Sequence, residues 1–164
     1  MIIFQLTDEE RQTAVEEGRR RQSHNEEKQF RGRNGGYETG MLAQQCHILG
    51  AAGEMAVASY LGLKKHLYLE RNPRRDSCDL PFNIDVKTRS RHWHELIVQK
   101  DDHPDKNYWL VTIQYKEIRI HGWLPHSECI KPEFYKDPAV GRPAFFIPKK
   151  NLIDPDLFLG PETA

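Results

Sequence analysis

The chain has 164 residues, and its 24 lysines and arginines balance 24 aspartates and glutamates. That length suits one domain with a sizeable core, and the neutral total excludes indiscriminate polycation behaviour while leaving room for a basic cleft. The three cysteines, Cys46, Cys78 and Cys129, are odd in number and far apart, which excludes a disulfide framework and a Cys-x-x-Cys zinc site.

Met1-Ile2-Ile3-Phe4 gives way at once to charged residues, unlike a signal peptide, and no stretch reaches membrane-spanning length. The expected setting is reducing and cytoplasmic, with no membrane partner. Thr7-Asp8-Glu9-Glu10 reads as a capping box opening a polar helix that runs through Arg21. Ala14 and Val15 give this helix only a thin apolar stripe, so it is expected to pack weakly or to serve as an arm. Charged and glycine-bearing residues follow to Gly40 and predict a basic connection. Met41 to Leu61 carries apolar residues at helical spacing and ends at Gly62. Its small-residue segment around Glu54 suits close packing on a sheet, and a carboxylate held near a core needs a partner.

A strand is expected over His66 to Glu70, then a basic turn through Arg71 to Arg75. Beyond the hairpin discussed below, a bend at Trp93-His94-Glu95 precedes a short strand, Leu96 to Gln99. His92 and His94 form a His-x-His pair with no third ligand at a natural spacing, and are read as structural. Tyr108 to Ile113 and Glu117 to Trp123 predict a second hairpin around Gln114-Tyr115-Lys116, the first strand apolar enough to be central. Pro125 to Arg142 reads as irregular. Pro143 to Pro148 reads as a last strand, its prolines favouring an edge, and the tail from Asn151 as a short helix or turn.

The chemistry concentrates in Cys78-Asp79-Leu80-Pro81-Phe82-Asn83-Ile84-Asp85-Val86-Lys87. Pro81-Phe82-Asn83 supplies turn residues between two strands, Asp76 to Leu80 and Ile84 to Arg89. If Leu80 pairs with Ile84, Asp79 lies across from Asp85 on one face, Lys87 joins them, and Ile84, Val86 and Thr88 take the other, buried face. Opposed carboxylates repel unless something positive sits between them. A divalent cation answers that need, and hard oxygen ligands suit Mg²⁺. The competing reading is a solvated face on which Lys87 neutralises one acid.

The order of a helix with Glu54, a strand, a strand with Asp79, a strand with Asp85-Val86-Lys87 and further strands resembles the PD-(D/E)XK nuclease superfamily. The resemblance covers about Met41 to Trp123. It implies an α/β, restriction-endonuclease-like fold, with a mixed, mostly antiparallel central sheet flanked by helices. Residues 1–40 would be an N-terminal helix and basic arm, and 41–164 the nuclease-like domain. It further implies catalytic Glu54, Asp79, Asp85 and Lys87, with Mg²⁺ or Mn²⁺ bound by Asp79, Asp85, the Val86 carbonyl and, directly or through water, Glu54. Lys87 would hold the attacking water or stabilise charge on the phosphate. The implied activity is hydrolysis of DNA phosphodiester bonds, with RNA left open. Junction resolution by a homodimer and a catalytically silent nucleic-acid-binding module are the alternatives. Cys78 stands where the family has proline. The Gln-x-x-x-Tyr element of its exonuclease branch is absent, since Gln99 is followed by Lys100-Asp101-Asp102-His103, which favours an endonuclease. A small stand-alone member of this kind resembles those that phages carry.

Overall fold

Thr7 opens the first helix with the reciprocal bonds its sequence predicts: the Glu10 N–H donates to Thr7 Oγ1 at 3.1 Å and the Thr7 N–H to Glu10 Oε1 at 2.8 Å. In the computed structural model, which describes residues 1–28, 41–68 and 78–158, this helix, α1, spans Asp8–Lys28 and so continues past Arg21. A second helix, α2, spans Met41–Leu61 and stops at Gly62, whose φ of 73° is the left-handed value that ends helices. The expected weak packing of α1 is not found. It lies against α2, and the reason is a small residue rather than an apolar stripe. A Cβ on Gly18 would stand 2.6 Å from the backbone of Ile48, so the two helices approach to backbone contact. Ala14 is buried beside it, and Lys64 pairs with Glu10 at 3.3 Å.

The strands are β1 (Ile2–Phe4), β2 (Ile84–Arg89), β3 (Leu96–Val98), β4 (Asn107–Gln114), β5 (Glu117–Pro125), β6 (Tyr135–Lys136) and β7 (Ala144–Ile147). One sheet has the order β1-β5-β4-β2, with β2 and β4 parallel and the other pairs antiparallel. The second, β3-β7-β6, is antiparallel throughout. The class is therefore α/β with a mixed, mostly antiparallel sheet. β4 is central, and it meets β5 through the turn at Tyr115-Lys116, whose φ values of 50° and 64° suit a two-residue hairpin.

Alternation along β4 builds the layers. Trp109 and Val111 face Met55, Ala56 and Val57 of α2, whereas Tyr108 and Leu110 face Leu96, Val98 and Ile147 of the second sheet. The helices, the four-stranded sheet and the three-stranded sheet thus stack in that order. A bulge in β5 shifts which of its positions face each core, Trp123 still packing on the first. Leu110 pairs with Gly122 and Val111 with Ile120, so His121 is the extra residue, and Leu124 turns to the second core while Ile118 and Ile120 line the first.

Three expectations change. His66 to Glu70 does not begin a strand: Lys64–His66 is a 3₁₀ turn, because the Leu63 N–H returns to the Ala58 carbonyl at 2.7 Å and folds the chain back so that Leu67 enters the core. The last strand is not an edge strand. β7 lies between β3 and β6, and Pro143 and Pro148 fall outside its four residues, so neither removes a ladder donor. The irregular stretch contains a short helix, α3 (His126–Cys129), besides β6. The connecting arm from residue 29 and the Arg71 to Arg75 turn lie outside the described residues. Among those described, no helix is long and apolar enough to cross a membrane.

Candidate active site

The turn predicted at Pro81-Phe82-Asn83 forms with φ values of 64° at Phe82 and 58° at Asn83. Leu80 bridges Ile84 in antiparallel fashion, its N–H donating to the Ile84 carbonyl at 3.2 Å. Beyond that bridge the described part of the first arm, Cys78 to Leu80, is not a strand. The reason is local. The Val86 N–H, which a longer partner strand would have bonded, donates instead to Asp79 Oδ2 at 2.8 Å. A carboxylate thus takes the place of a backbone carbonyl on the outer edge of β2.

Asp79 and Asp85 come together as the register requires. Burial pushes the Asp79 carboxyl well above its ordinary range; the charges of Glu54 and Asp85 and a hydrogen bond to Asp85 add to this, while the Val86 N–H opposes it. Asp85 has two ammonium partners, Lys87 Nζ at 3.3 Å and Lys106 Nζ at 3.5 Å. Lys87 in turn lies 3.5 Å from Asp102 Oδ2, and its Nζ stands 5.3 Å from the centroid of the Tyr108 ring. Asp102 is held by the Gln99 N–H at 2.7 Å.

Glu54 reaches the same neighbourhood from α2. It is buried, and its partner is Arg21 of α1, which grips it with two bonds, Nη1 to Oε1 at 3.0 Å and Nη2 to Oε2 at 2.7 Å. Arg21 also donates from Nε to Glu17 at 3.0 Å and lies 5.4 Å above the Tyr68 ring. Burial raises the Glu54 carboxyl above its ordinary value; Arg21 opposes that, and the charges of Asp85 and Glu17 reinforce it. The Arg21 guanidinium is correspondingly raised by its two carboxylates, against the effect of burial.

The donor chemistry fits a divalent ion in one particular way. Among the described residues, no group of three His, Cys, Asp or Glu side chains is gathered closely enough to hold a metal. Asp79 and Asp85 do form a pair whose charges disfavour one another, and a divalent cation would relieve that repulsion. Mg²⁺ ordinarily takes one or two carboxylates and keeps several waters. Asp79 and Asp85, with the Val86 carbonyl on the same edge, suit that habit, whereas Glu54 is already engaged by Arg21.

Of the four residues read as catalytic, Asp79, Asp85 and Lys87 share one end of β2, and Glu54 acts on the two aspartates electrostatically from α2. Arg21, Asp102 and Lys106 were missed. Only the rule that a buried carboxylate needs a cation pointed to Arg21, and nothing in spacing could choose it from its neighbours. Of the histidine pair, His92 joins a polar chain: its Nδ1 lies 2.7 Å from Thr112 Oγ1, which lies 2.7 Å from His121 Nε2. Comparison with protein-family models, with curated proteins and with solved structures finds no match to this chain.

Proposed function

We propose that the chain is a metal-dependent nuclease of restriction-endonuclease-like architecture that hydrolyses DNA phosphodiester bonds internally. The observation that supports this most is the convergence of Asp79, Asp85 and Lys87 on the outer edge of β2 with Glu54 beside them. Asp79, Asp85 and the Val86 carbonyl would hold Mg²⁺ or Mn²⁺. Once bound, such an ion acidifies a water and polarises a phosphoryl oxygen. The side chains do the rest. Lys87, fixed between Asp85 and Asp102, is poised to orient the attacking water or to meet charge developing on the phosphate, a role worth roughly 10²–10³ in rate for a preorganised donor. Lys106 offsets the second oxygen of Asp85 and limits the pair's repulsion. Arg21 grips both oxygens of Glu54, so that its negative charge stands fixed near the aspartates and adds to the demand for a cation there.

One observation favours a second reading, a DNA-binding module without catalysis: Lys87 and Lys106 both pair with Asp85, which lessens its need for a further cation. The test is incubation of supercoiled plasmid and of a four-way junction with Mg²⁺ or Mn²⁺, beside Asp85→Ala and Lys87→Ala. Metal-dependent cutting lost in both variants is the expected result, and its product pattern separates nicking from paired cuts across a junction. Retained DNA binding with no cutting in either metal would sink the nuclease reading and leave the binding module.

A further inference from the structure

Beyond Lys87, β2 runs on through Arg89 into Ser90-Arg91-His92-Trp93-His94, where aromatic and basic side chains follow one another. The turn is closed by the His94 N–H donating to the Arg91 carbonyl at 3.1 Å. It is anchored by His92 on Thr112 and by the Lys149 ammonium, which donates to the His92 carbonyl. On this fixed turn Trp93 is 73% exposed. Its indole stands at 70° to the His94 ring with centroids 4.3 Å apart, so one edge is braced and its outer face is open to solvent.

Positive charge gathers around the His94 ring that braces the indole. Arg89 donates to the Glu95 carbonyl at 3.0 Å, and burial holds its guanidinium below the ordinary value while the Glu95 charge pulls the other way. His94 is pushed down by burial and then by Arg89, Arg91 and Lys149, which places all three within electrostatic reach of one ring. Its Nδ1 is buried without a hydrogen-bond partner among the described residues. Lys149 is pushed down by burial and by Arg119, with Glu95 opposing. Glu117 is already taken, by Arg119 at 2.6 Å and His92 at 3.3 Å. A half-buried guanidinium with one carbonyl partner and a turn that carries an open indole suit an anion that carries a flat face.

We propose that the Arg89 to His94 turn, together with Lys149, binds single-stranded nucleic acid, with Trp93 stacking one unpaired base and Arg89, Arg91 and Lys149 holding the adjoining phosphates. Asp85, Lys87 and Arg89 alternate along β2 and share one face, Arg89 standing about 7 Å past Lys87 at ~3.3 Å per residue. A strand held at the turn is therefore led along that face toward the carboxylates. Stacking on an aromatic ring accepts any base because every base has a π-face, whereas a base inside a duplex has both faces covered. The site thus selects flaps, frayed ends or junction arms over blunt duplex. It deepens the nuclease reading and rests on it for the substrate class, although the binding itself needs neither metal nor cleavage.

The test is fluorescence anisotropy of the full chain in EDTA with three labelled probes: a short oligothymidine, the same strand annealed to its complement, and a strand of abasic residues. Oligothymidine should bind more tightly than the duplex. Trp93→Ala should weaken oligothymidine on the order of ten-fold and leave the abasic strand unchanged, and Trp93→Phe should restore most of the loss. Arg91→Ala, at an exposed position, should weaken all three probes and flatten the salt dependence. Equal affinity of Trp93→Ala and the parent for oligothymidine, or an equal loss on the abasic strand, would overturn the proposal and assign the indole to some other contact. Loss of the nuclease reading leaves these binding results standing, and cutting by a protein whose binding ignores Trp93 sinks this proposal alone.

Discussion

Asp79 sits where a sheet would rather have a carbonyl, and it is costly there. Burial and two neighbouring carboxylates disfavour its charge, so Asp79→Asn should raise the stability of the metal-free protein by roughly 0.5–2 kcal/mol, as relief of functional strain commonly does. The same variant should lose any rise in melting temperature brought by Mn²⁺, and a rise equal to that of the parent would remove Asp79 from the ligand set. Arg21→Ala leaves Glu54 buried without its cation and should cost about 3–5 kcal/mol in urea unfolding. Arg21→Met with Glu54→Leu should recover most of that stability but not activity. Histidine supplies the pH dependence. Burial, then Lys149, His92 and Arg119, lower His121 to about 4, against an ordinary 6.5. Between those values the unfolded chain takes a proton that the folded chain refuses, so this contribution is intact above 6.5 and declines as pH falls toward 4. Glu10, lowered to about 2 chiefly by its bonds from Thr7, Ser59 and Lys64 against burial, adds a second loss from about 4.5 downward. Asp79 acts in the opposite sense, its contribution being lost as pH rises through its raised value. His121→Gln should flatten the slope of the urea midpoint between pH 6.5 and 4. Asp79, Asp85 and Lys87 could be read from sequence because nine consecutive residues of one hairpin bring them together. Arg21, Asp102 and Lys106 could not, because contacts across α1, α2 and the 101–106 loop choose them.

Helix α2 shows what small residues do for an element. A Cβ on Gly53 would fall 1.9 Å from Thr88 Oγ1 on β2, and one on Gly18 would meet the backbone of Ile48, so both positions set the distances at which α2 meets the sheet and α1. Gly50 meets nothing within 4 Å. Gly50→Ala should therefore stabilise by up to about 1 kcal/mol through helix propensity. Gly18→Ala and Gly53→Ala should destabilise by roughly 1–3 kcal/mol despite the same gain. Thermal melts of the three variants check this, and a uniform gain would mean that the close approaches are not needed. The bounds of α2, the central place of β4 and the hairpin between β4 and β5 were legible, because apolar periodicity and turn residues are local signals. The position of β7 was not. Proline marked the ends of that strand correctly, but which strands flank it depends on β3 and β6, short segments of no strong pattern.

At the scale of the whole molecule, α1 is part of the fold rather than an appendage. It covers α2 through Gly18 and Ala14 and neutralises Glu54 through Arg21, so a fragment beginning at Met41 should unfold at markedly lower urea than the full chain; matching midpoints would show α1 to be dispensable. The stacking of helices, four-stranded sheet and three-stranded sheet was only half foreseen. Local chemistry by itself determined the α/β class, the capped start of α1, the full extent of α2, the Leu80 to Ile84 pairing and the shared face of Asp85 and Lys87, because each depends on residues within a few positions of one another. Tertiary structure alone decided that Arg21 holds Glu54, that Lys106 and Asp102 complete the charges around Asp85 and Lys87, that the β5 bulge resets which positions of that strand face each core, and that Trp93 stands open against a His94 ring within reach of three cations. Each of those depends on segments far apart in the chain, whose meeting is set by burial and backbone pairing rather than by any local pattern.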